Sequence, residues 1–248
     1  QFNAHWRNEE LRASWGLKPG ELAVIHVGRI APEKNMPLAV KAFRALQEKR
    51  PDAKFIMVGD GPQRTSVQSE NPDFIFAGMR RGDDLAQHYA SADIFCFPSL
   101  SETFGNVTLE AMASGLPVCA FDYGAAREHC KDGVHGRTVG FSDEQAFVKA
   151  FVELATHTDL KKMGMLANES VQTCILKPPE WAPLTCSLLA DAADAAGLPP
   201  GVFNVVQGSG AKAGAALVGD PRIARVSFTG SVPYSIAMPV YRACGHSS

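Results

Sequence analysis

Short apolar runs alternate with longer amphipathic segments along the chain from Leu22 onward. Short apolar runs predict buried strands, whereas apolar residues that recur every three or four positions predict helices. Their alternation indicates an α/β fold in which a parallel, Rossmann-like sheet carries helices on both faces. The predicted strands are residues 22–28, 54–59, 74–77, 93–98 and 117–121. The predicted helices are residues 36–49, 83–90, 107–114 and 144–156.

Turn-forming residues follow several of these strands. Gly28, Gly59 and Gly78 each lie where a predicted strand passes into a loop, and so do Pro98 and Ser99 for a fourth strand. In an open parallel sheet, ligands bind at the edge formed by the carboxyl ends of the strands. We therefore expect the functional site at this edge.

The pattern changes near Val171, where a helical segment gives way to a new strand. We predict two domains, residues 1–170 and residues 171–248, the second being a short α/β appendage. It is predicted to contain a helix over 184–196, a strand over 202–206, a helix over 211–218 and a strand over 224–228. The pattern fades after Ser231, so we expect a frayed C-terminus.

Composition narrows the class of protein. The 248 residues are 46% hydrophobic and 20% charged with a formal net charge of −2, which argues against a nucleic-acid partner. No window reaches the roughly 18 apolar residues of a membrane span. The six cysteines are widely spaced and mostly within apolar runs, which indicates buried free thiols and a cytoplasmic location. Because the first residue is not Met, we expect an excised or processed fragment.

Two cations, Arg29 and Lys34, follow the first predicted strand. A nucleotide diphosphate carries about two negative charges when it leaves, and cations at a strand end can stabilise this charge without a metal ion. The alternative is that both side chains are solvated loop charges that bind no ligand.

Two carboxylates, Glu102 and Glu110, flank a predicted strand-to-helix turn that contains Gly105 and Asn106. Eight helical steps of about 1.5 Å would place their backbones roughly 12 Å apart, which suits two parts of one elongated ligand rather than an acid/base pair. Gly105 permits a close backbone approach, and the N–H groups of a helix that begins near Asn106 can bind phosphate. The alternative for Glu110 is an ordinary exposed helix residue.

These motifs resemble, in order, the C-terminal domain of retaining GT-B glycosyltransferases, especially mannosyltransferase-like members. The matching segments are Val27-Gly28-Arg29, Glu33-Lys34-Asn35, Val58-Gly59-Asp60-Gly61-Pro62, Ala92-Asp93 and the stretch from Glu102 to Glu110. The resemblance implies that Arg29 and Lys34 hold the donor diphosphate and that Glu102 contacts the sugar hydroxyls, these three forming the catalytic set. It implies that Glu110 contacts the ribose. Further donor contacts are implied for Gly28, Gly78, Met79, Phe104, Gly105, Asn106 and Val107.

The same resemblance implies retaining transfer from a nucleotide-diphosphate sugar, without a metal ion or a cofactor. GDP-mannose is the first donor expected, and a UDP-hexose is the alternative. The family places the acceptor pocket in an N-terminal domain that these residues lack, so we expect the isolated chain to be inactive.

Residues 173–231 resemble part of the NAD(P)-binding domain of aldehyde dehydrogenases. The matching segments are residues 176–180, residues 197–206, Gly208-Ser209-Gly210 and Phe228-Thr229-Gly230-Ser231. The resemblance implies vestigial NAD contacts, with Lys177 and Glu180 at the adenosine ribose and with Gly230 and Ser231 at the pyrophosphate. The catalytic cysteine segment and the general-base strand of that family are missing, and Cys244 has no matching flanks.

Three functions follow from these observations. Glycosyl transfer leads, an NAD(P)-dependent aldehyde dehydrogenase fragment is the rival enzyme, and a chimeric or recombined chain that packs without catalysis is the third. Among the remaining candidates, Cys96 and Cys119 are predicted to be core strand residues. His88 and His129 are predicted to be surface helix residues without partners.

Overall fold

The computed structural model describes residues 2–102, 106–172, 174–180, 183–195 and 203–219. The chain divides into two compact units, Gln1–Val171 and Gln172–Ser248. Each unit has its own parallel sheet. Among the described residues, every helix is too short or too polar to cross a membrane.

The first unit is built on a six-stranded sheet. Its strands are β1 (Ala23–Val27), β2 (Lys54–Val58), β3 (Ile75–Gly78), β4 (Ile94–Phe97), β5 (Val118–Phe121) and β6 (Gly136–Val139). Its helices are α1 (Glu9–Ser14), α2 (Met36–Gln47), α3 (Arg64–Glu70), α4 (Gly82–Ala90), α5 (Asn106–Ala113), α6 (Gly124–His129), α7 (Glu144–His157) and α8 (Leu160–Gln172). All pairs are parallel in the order β3-β2-β1-β4-β5-β6, which confirms the predicted Rossmann-like α/β fold.

Helices cover both faces of this sheet. Alternate strand residues point to opposite sides, so neighbouring residues of one strand pack against different helices. Val24 of β1 packs on one face in a cluster with Phe43 of α2 and Phe147 of α7. Ile25, the next residue, packs on the other face with Tyr89 of α4. The continuous apolar runs of the central strands therefore reflect two helical layers, as the sequence pattern predicts.

The predicted strands and helices of the first unit are present with ends shifted by a few residues. The sequence reading missed β6, α1, α3 and α6. Strand β6 lies at the sheet edge and is only partly buried, with Arg137 paired to Asp132 and Glu153 at 3.1 Å each. A charged, half-exposed strand lacks the apolar run by which the other strands were identified.

The structure confirms that Cys96 and Cys119 are buried and contradicts the prediction for the two histidines. His88 is 2% exposed, its Nδ1 lies 2.7 Å from the carbonyl of Asp84, and its ring packs against Trp15. His129 is largely buried, with Nε2 3.8 Å from a carboxylate oxygen of Glu128. For His88, the prediction failed because Trp15, which lies before β1, covers a face of α4 whose own periodicity reads as polar.

The second unit contains β7 (Cys174–Leu176), α9 (Pro183–Ala195), β8 (Phe203–Val205) and α10 (Ala215–Gly219). Strands β7 and β8 pair in parallel from Cys174↔Phe203 to Leu176↔Val205. The single helix predicted over 211–218 is instead a π-helical turn, Gly210–Gly214, that leads into α10. The predicted strand over 224–228 and the C-terminal tail lie outside the described residues.

Candidate functional site

The carboxyl ends of β1 and β4 form the central crevice of the first unit. The chain moves from β1 to β2 and β3 on one side, and β4 then returns to the other side of β1. Such a reversal of strand order leaves a gap between the two outgoing loops, where open α/β sheets bind ligands. Gly28 follows β1 and Ser99 follows β4, so the predicted site residues of both loops lie at this gap.

A partly buried ion pair joins the two loops. Lys34 Nζ forms an ion pair with Glu102 Oε1, and these side chains are 17% and 11% exposed. Lys34 Nζ also donates to Ser99 Oγ at 3.2 Å and to the carbonyl of Ser101 at 3.0 Å. Ser99 Oγ in turn lies 3.2 Å from Glu102 Oε1. The resemblance assigned Lys34 and Glu102 to different parts of a donor, and the structure places them in direct contact.

Backbone geometry holds Lys34 in this position. Residues Pro32–Lys34 form a 3₁₀ turn that ends at Asn35, whose φ of 52° is left-handed. The N–H of Leu100 donates to the carbonyl of Glu33 at 2.9 Å, which ties the loop after β4 to the loop after β1. Contacts with both loops therefore hold the Lys34 ammonium group in place, although the lysine side chain is itself flexible.

Arg29 is placed differently from Lys34. Its side chain is 64% exposed and pairs with Glu33 Oε1 at 3.2 Å. An exposed pair of this kind contributes little to stability, so the guanidinium can exchange Glu33 for another anion at small cost. The structure puts Arg29 at the predicted edge, and both interpretations of it, phosphate ligand and solvated charge, remain open.

Glycines permit the close approach of three strand ends. Gly59 has φ 133°, and a Cβ at this position would overlap the carbonyl of Gly28. The N–H of Gly28 donates to Val58 O at 3.0 Å, and the N–H of Gly59 donates to Gly78 O at 2.8 Å. Any larger residue at position 59 would push the loop after β1 out of place.

Met79, directly after β3, is 65% exposed.

Glu110 lies on α5, one turn after Asn106, where the helix begins. Its Oε2 accepts a hydrogen bond from the hydroxyl of Tyr89 at 3.1 Å. Burial raises the pKa of the Glu110 carboxyl, while the hydrogen bond from Tyr89 lowers it. Asn106 is exposed and Val107 half-buried, so this end of the helix is accessible.

Two of the residues predicted to approach the sugar, Phe104 and Gly105, lie outside the described residues. The structure thus brings Lys34 and Glu102 together around Ser99. It places Gly28, Arg29, Gly78, Met79, Asn106, Val107 and Glu110 in the strand ends, loops and helix start at the same sheet edge.

Sequence reasoning missed His26, which lies just before Gly28. Its Nδ1 lies 3.2 Å from the carbonyl of Cys96, and its ring stacks on Phe97. Burial, opposed by the hydrogen bond to Cys96 and reinforced by the charge of Lys34, lowers the pKa of His26 to about 4. The side chain is fully buried, and its Nε2 has no hydrogen-bond partner among the described residues. The sequence did contain a signal for His26, because it is the one polar residue in the otherwise apolar strand Ala23–Val27.

Ser99 and Tyr89 were also missed, because a lone hydroxyl gives no pattern in the sequence. In the described part of the chain, no three His, Cys, Asp or Glu side chains converge as they would to hold a metal ion.

The second unit has a candidate site of its own beside β7 and β8. A cavity of about 220 Å³ is lined by Pro178, Pro179, Glu180, Gln207, Gly208 and Ser209. Glu180 Oε1 accepts the N–H of Gly210 at 3.0 Å, and Lys177 Nζ donates to the carbonyl of Pro178 at 2.7 Å. Both predicted ribose ligands are therefore engaged within the unit. Gly230 and Ser231 lie outside the described residues.

Two family models match the chain, one for each part. The family described as glycosyl transferases group 1 matches residues 21–157. The aldehyde dehydrogenase family matches residues 170–246. Both resemblances seen in the sequence are confirmed.

Individual proteins support the first match. A GDP-mannose-dependent alpha-mannosyltransferase of Mycolicibacterium smegmatis is 38% identical over 171 residues, which are 66% of this chain and 42% of that protein. The C-terminal domain of a glycosyl transferase group 1 family protein from Francisella tularensis has a TM-score of 0.58 at 23% identity, covering 69% of this chain and 96% of that domain. HepE of Anabaena in complex with UDP-glucose has a TM-score of 0.57 at 24% identity, covering 69% and 50%. These two structures establish a shared fold.

The chain spans only part of the relatives it matches. It covers between 27% and 45% of the length of four curated relatives.

Proposed function

The chain belongs to the glycosyl transferases group 1 family, and from this premise we propose that its first unit is the donor-binding half of an enzyme that transfers a hexosyl group, with retention, from a nucleotide-diphosphate sugar. The observation that carries the proposal is the Lys34–Glu102 pair, which Ser99 bridges at the gap between β1 and β4. A fixed cation at this gap is suited to the charge that appears when a diphosphate leaves.

Lys34 is the principal diphosphate ligand in this proposal. An ammonium group has three N–H donors, and Lys34 directs its Nζ at Ser99, Ser101 and Glu102. A phosphate oxygen would replace a neutral partner more easily than the Glu102 carboxylate, because hydrogen bonds between charged groups are stronger. Lys34 would then lie between the phosphate and Glu102. Arg29 adds a second, exposed cation, and the two together remove the need for a metal ion or a cofactor.

The remaining donor contacts follow the same edge. Glu102 is proposed to accept hydrogen bonds from sugar hydroxyls through the oxygen that Lys34 does not hold, and Glu110 to accept from the ribose. The glycines at positions 28 and 78 let the backbone approach the donor, with Met79 beside the base. The start of α5, from Asn106 and Val107, provides N–H groups for phosphate, and Phe104 and Gly105 are proposed to complete this contact.

GDP-mannose is the proposed donor, since the Mycolicibacterium smegmatis relative is named for its dependence on it. A UDP-hexose is the alternative, supported by the fold shared with HepE, which was solved with UDP-glucose. We propose that the acceptor is bound by a second Rossmann-like domain facing this edge, and that the protein works in the cytoplasm.

For the second unit we propose a vestigial site, at which Lys177 and Glu180 contact the adenosine ribose of NAD. The cavity beside Glu180, Gly208 and Ser209 favours it, together with the match to the aldehyde dehydrogenase family. We also propose the domain boundary predicted from the sequence, with residues 1–170 in the first part and residues 171–248 in the second.

Calorimetry and thermal shift with GDP, UDP, ADP, GDP-mannose, UDP-glucose and NAD test the proposed function. GDP or UDP should raise the melting temperature more than NAD does, because ligands stabilise the state that binds them. Glu102→Ala should abolish any preference for the nucleotide sugar over the free diphosphate. A chain stabilised by none of the nucleoside diphosphates, or most strongly by NAD, contradicts the proposal.

A transfer assay completes the test. With radiolabelled GDP-mannose or UDP-glucose and lipid, sugar and glycoside acceptors, the 248-residue chain should show no appreciable transfer. Positioning of the acceptor contributes roughly 7–11 kcal/mol in favourable cases, and this contribution is proposed to come from the acceptor-binding Rossmann-like domain rather than from residues 171–248. Robust transfer that depends on Glu102 would show that the acceptor site is present in this chain or in a second copy of it.

A further inference from the structure

We propose that Tyr89 is a positioning residue that holds Glu110 for recognition of the donor ribose. The inference rests on the proposed donor site and adds to it a residue on a different helix. Tyr89 lies near the end of α4, and its hydroxyl reaches Glu110 Oε2 at 3.1 Å and the carbonyl of Val107 at 3.4 Å on α5.

The tyrosine ring is held from two sides. Phe2 packs edge-on against it with ring centroids 5.6 Å apart, and Phe95 of β4 lies at 5.9 Å. The residue is fully buried, so the position of the hydroxyl is set by the core rather than by solvent. Phe would fill the same space, and the additional function of Tyr89 therefore lies in its hydroxyl.

The hydroxyl acts as a donor here. Burial and the nearby carboxylates of Glu110 and Glu102 raise the pKa of Tyr89 well above its usual value, so the proton remains on the phenol. The Glu110 carboxylate thus accepts one hydrogen bond at Oε2. Its Oε1 accepts no hydrogen bond from the described residues and is available for an external donor.

A held carboxylate is a better ligand than a mobile one. Glu110 is half-buried on the first turns of α5, and without Tyr89 its side chain could rotate between several staggered conformers. Fixing it in one conformer reduces the entropy lost when two vicinal ribose hydroxyls bind. The chemistry recognised is a cis-diol, so removal of the diol should cancel the contribution of Tyr89.

The experiment compares GDP with 2′,3′-dideoxy-GDP by calorimetry, in the full chain and in Tyr89→Phe. We expect Tyr89→Phe to weaken GDP binding about threefold to tenfold, the effect of one lost hydrogen bond, and to change dideoxy-GDP binding by less than twofold. In a Glu110→Ala background, which has no acceptor for the Tyr89 hydroxyl, Tyr89→Phe should have no further effect on GDP binding.

Two outcomes overturn the inference. Equal weakening of both nucleotides would show that Tyr89 acts only through packing, and unchanged binding of both would show that it does not act on the site. If the unaltered chain binds neither GDP nor UDP, the proposed function fails, and the role of Tyr89 in it fails as well.

A second measurement tests the hydrogen bond between Tyr89 and Glu110 independently of nucleotide binding. Titration of ¹³C-labelled glutamate carboxyls by NMR follows Glu110 without any nucleotide. Tyr89→Phe should raise the pKa of Glu110, because the lost hydrogen bond stabilises the charged form. An unchanged pKa in a variant whose unfolding free energy shows it to be folded would mean that the hydroxyl does not hold the carboxylate.

Discussion

The two units place similar chemistry on very different supports. Both put a lysine and a glutamate after parallel strands, with glycine-containing turns beside them. In the first unit, Lys34 and Glu102 rest on a six-stranded sheet with apolar clusters on both faces. In the second, Lys177 and Glu180 follow β7, which pairs with β8 in the part of that unit that the structure describes.

The two units differ in how many of their described side chains are buried. The described side chains of the second unit include one buried residue, Pro178, whereas Leu184, Leu188 and Leu189 of α9 are exposed. The described part of the second unit, two paired strands with α9 and α10, therefore buries much less apolar surface than the first unit, and burial of apolar surface is what stabilises a small domain. A family motif in the sequence therefore shows where a ligand site would be, but not whether the chain provides the layers that hold it.

The largest expected effect tests this contrast in the core. Phe43→Ala should destabilise the first unit by about 3–5 kcal/mol, because it leaves a cavity under the sheet. Leu188→Ala on α9 should change the unfolding free energy by less than about 0.5 kcal/mol, since the leucine is exposed. Urea denaturation monitored by tryptophan fluorescence measures both. Comparable losses would mean that α9 is covered in solution.

Stability should also depend on pH through His26. Its pKa is about 4 in the folded chain and 6.5 in the unfolded chain, so the unfolded state binds more protons between these values. The stabilising effect is complete above pH 6.5 and is lost as the pH falls through 4, by about 3 kcal/mol in total.

His88 acts in the same direction, because burial also lowers its pKa. Replacement of His26 by Asn, which can still donate to the carbonyl of Cys96, should flatten the loss of unfolding free energy between pH 7 and 4. The same slope in His26→Asn and the unaltered chain would assign the pH dependence to other groups.

Lys34→Ala should weaken GDP or UDP binding by about 1.5–3 kcal/mol, the contribution of a hydrogen bond to a charged group. Arg29→Ala should weaken it within the same range, towards the lower end because the guanidinium is exposed. Lys177→Ala, the matched lysine of the second unit, is the control and should leave binding unchanged. Calorimetry measures all three. A chain insensitive to both Lys34 and Arg29 would move the phosphate site elsewhere.

The smallest effect is expected from NAD. At equal concentrations it should raise the melting temperature less than GDP does, because Lys177 and Glu180 are already engaged with Pro178 and Gly210. Glu180→Ala should remove whatever shift NAD produces. A shift larger than that of GDP would identify the second unit as the better nucleotide site.

The sequence predicted most of the sheet because its central strands are buried on both faces and read as apolar runs. It could not predict β6, whose Arg137 takes part in two surface ion pairs, or the burial of His88, which depends on Trp15 at a distance along the chain.

For the site, the resemblance named Lys34, Glu102 and Glu110, because charged residues after strands keep a recognisable spacing. Their partners could not be read in the same way. Ser99 reaches Lys34 across 65 residues, and Tyr89 reaches Glu110 from another helix. Such contacts depend on which strands are neighbours, and that order appears only in the folded sheet.

The buried thiols of the first unit have a consequence for chemical labelling. Cys96 and Cys119 face each other across β4 and β5, and burial raises the pKa of both thiols. A thiol that stays protonated in a closed core reacts only when the core opens. Alkylation at these positions would therefore record opening of the sheet, while Cys186 on α9, which is partly exposed, would be alkylated without that delay. Identification of the alkylated cysteine at each time point would therefore distinguish opening of the sheet in the first unit from labelling of α9 in the second.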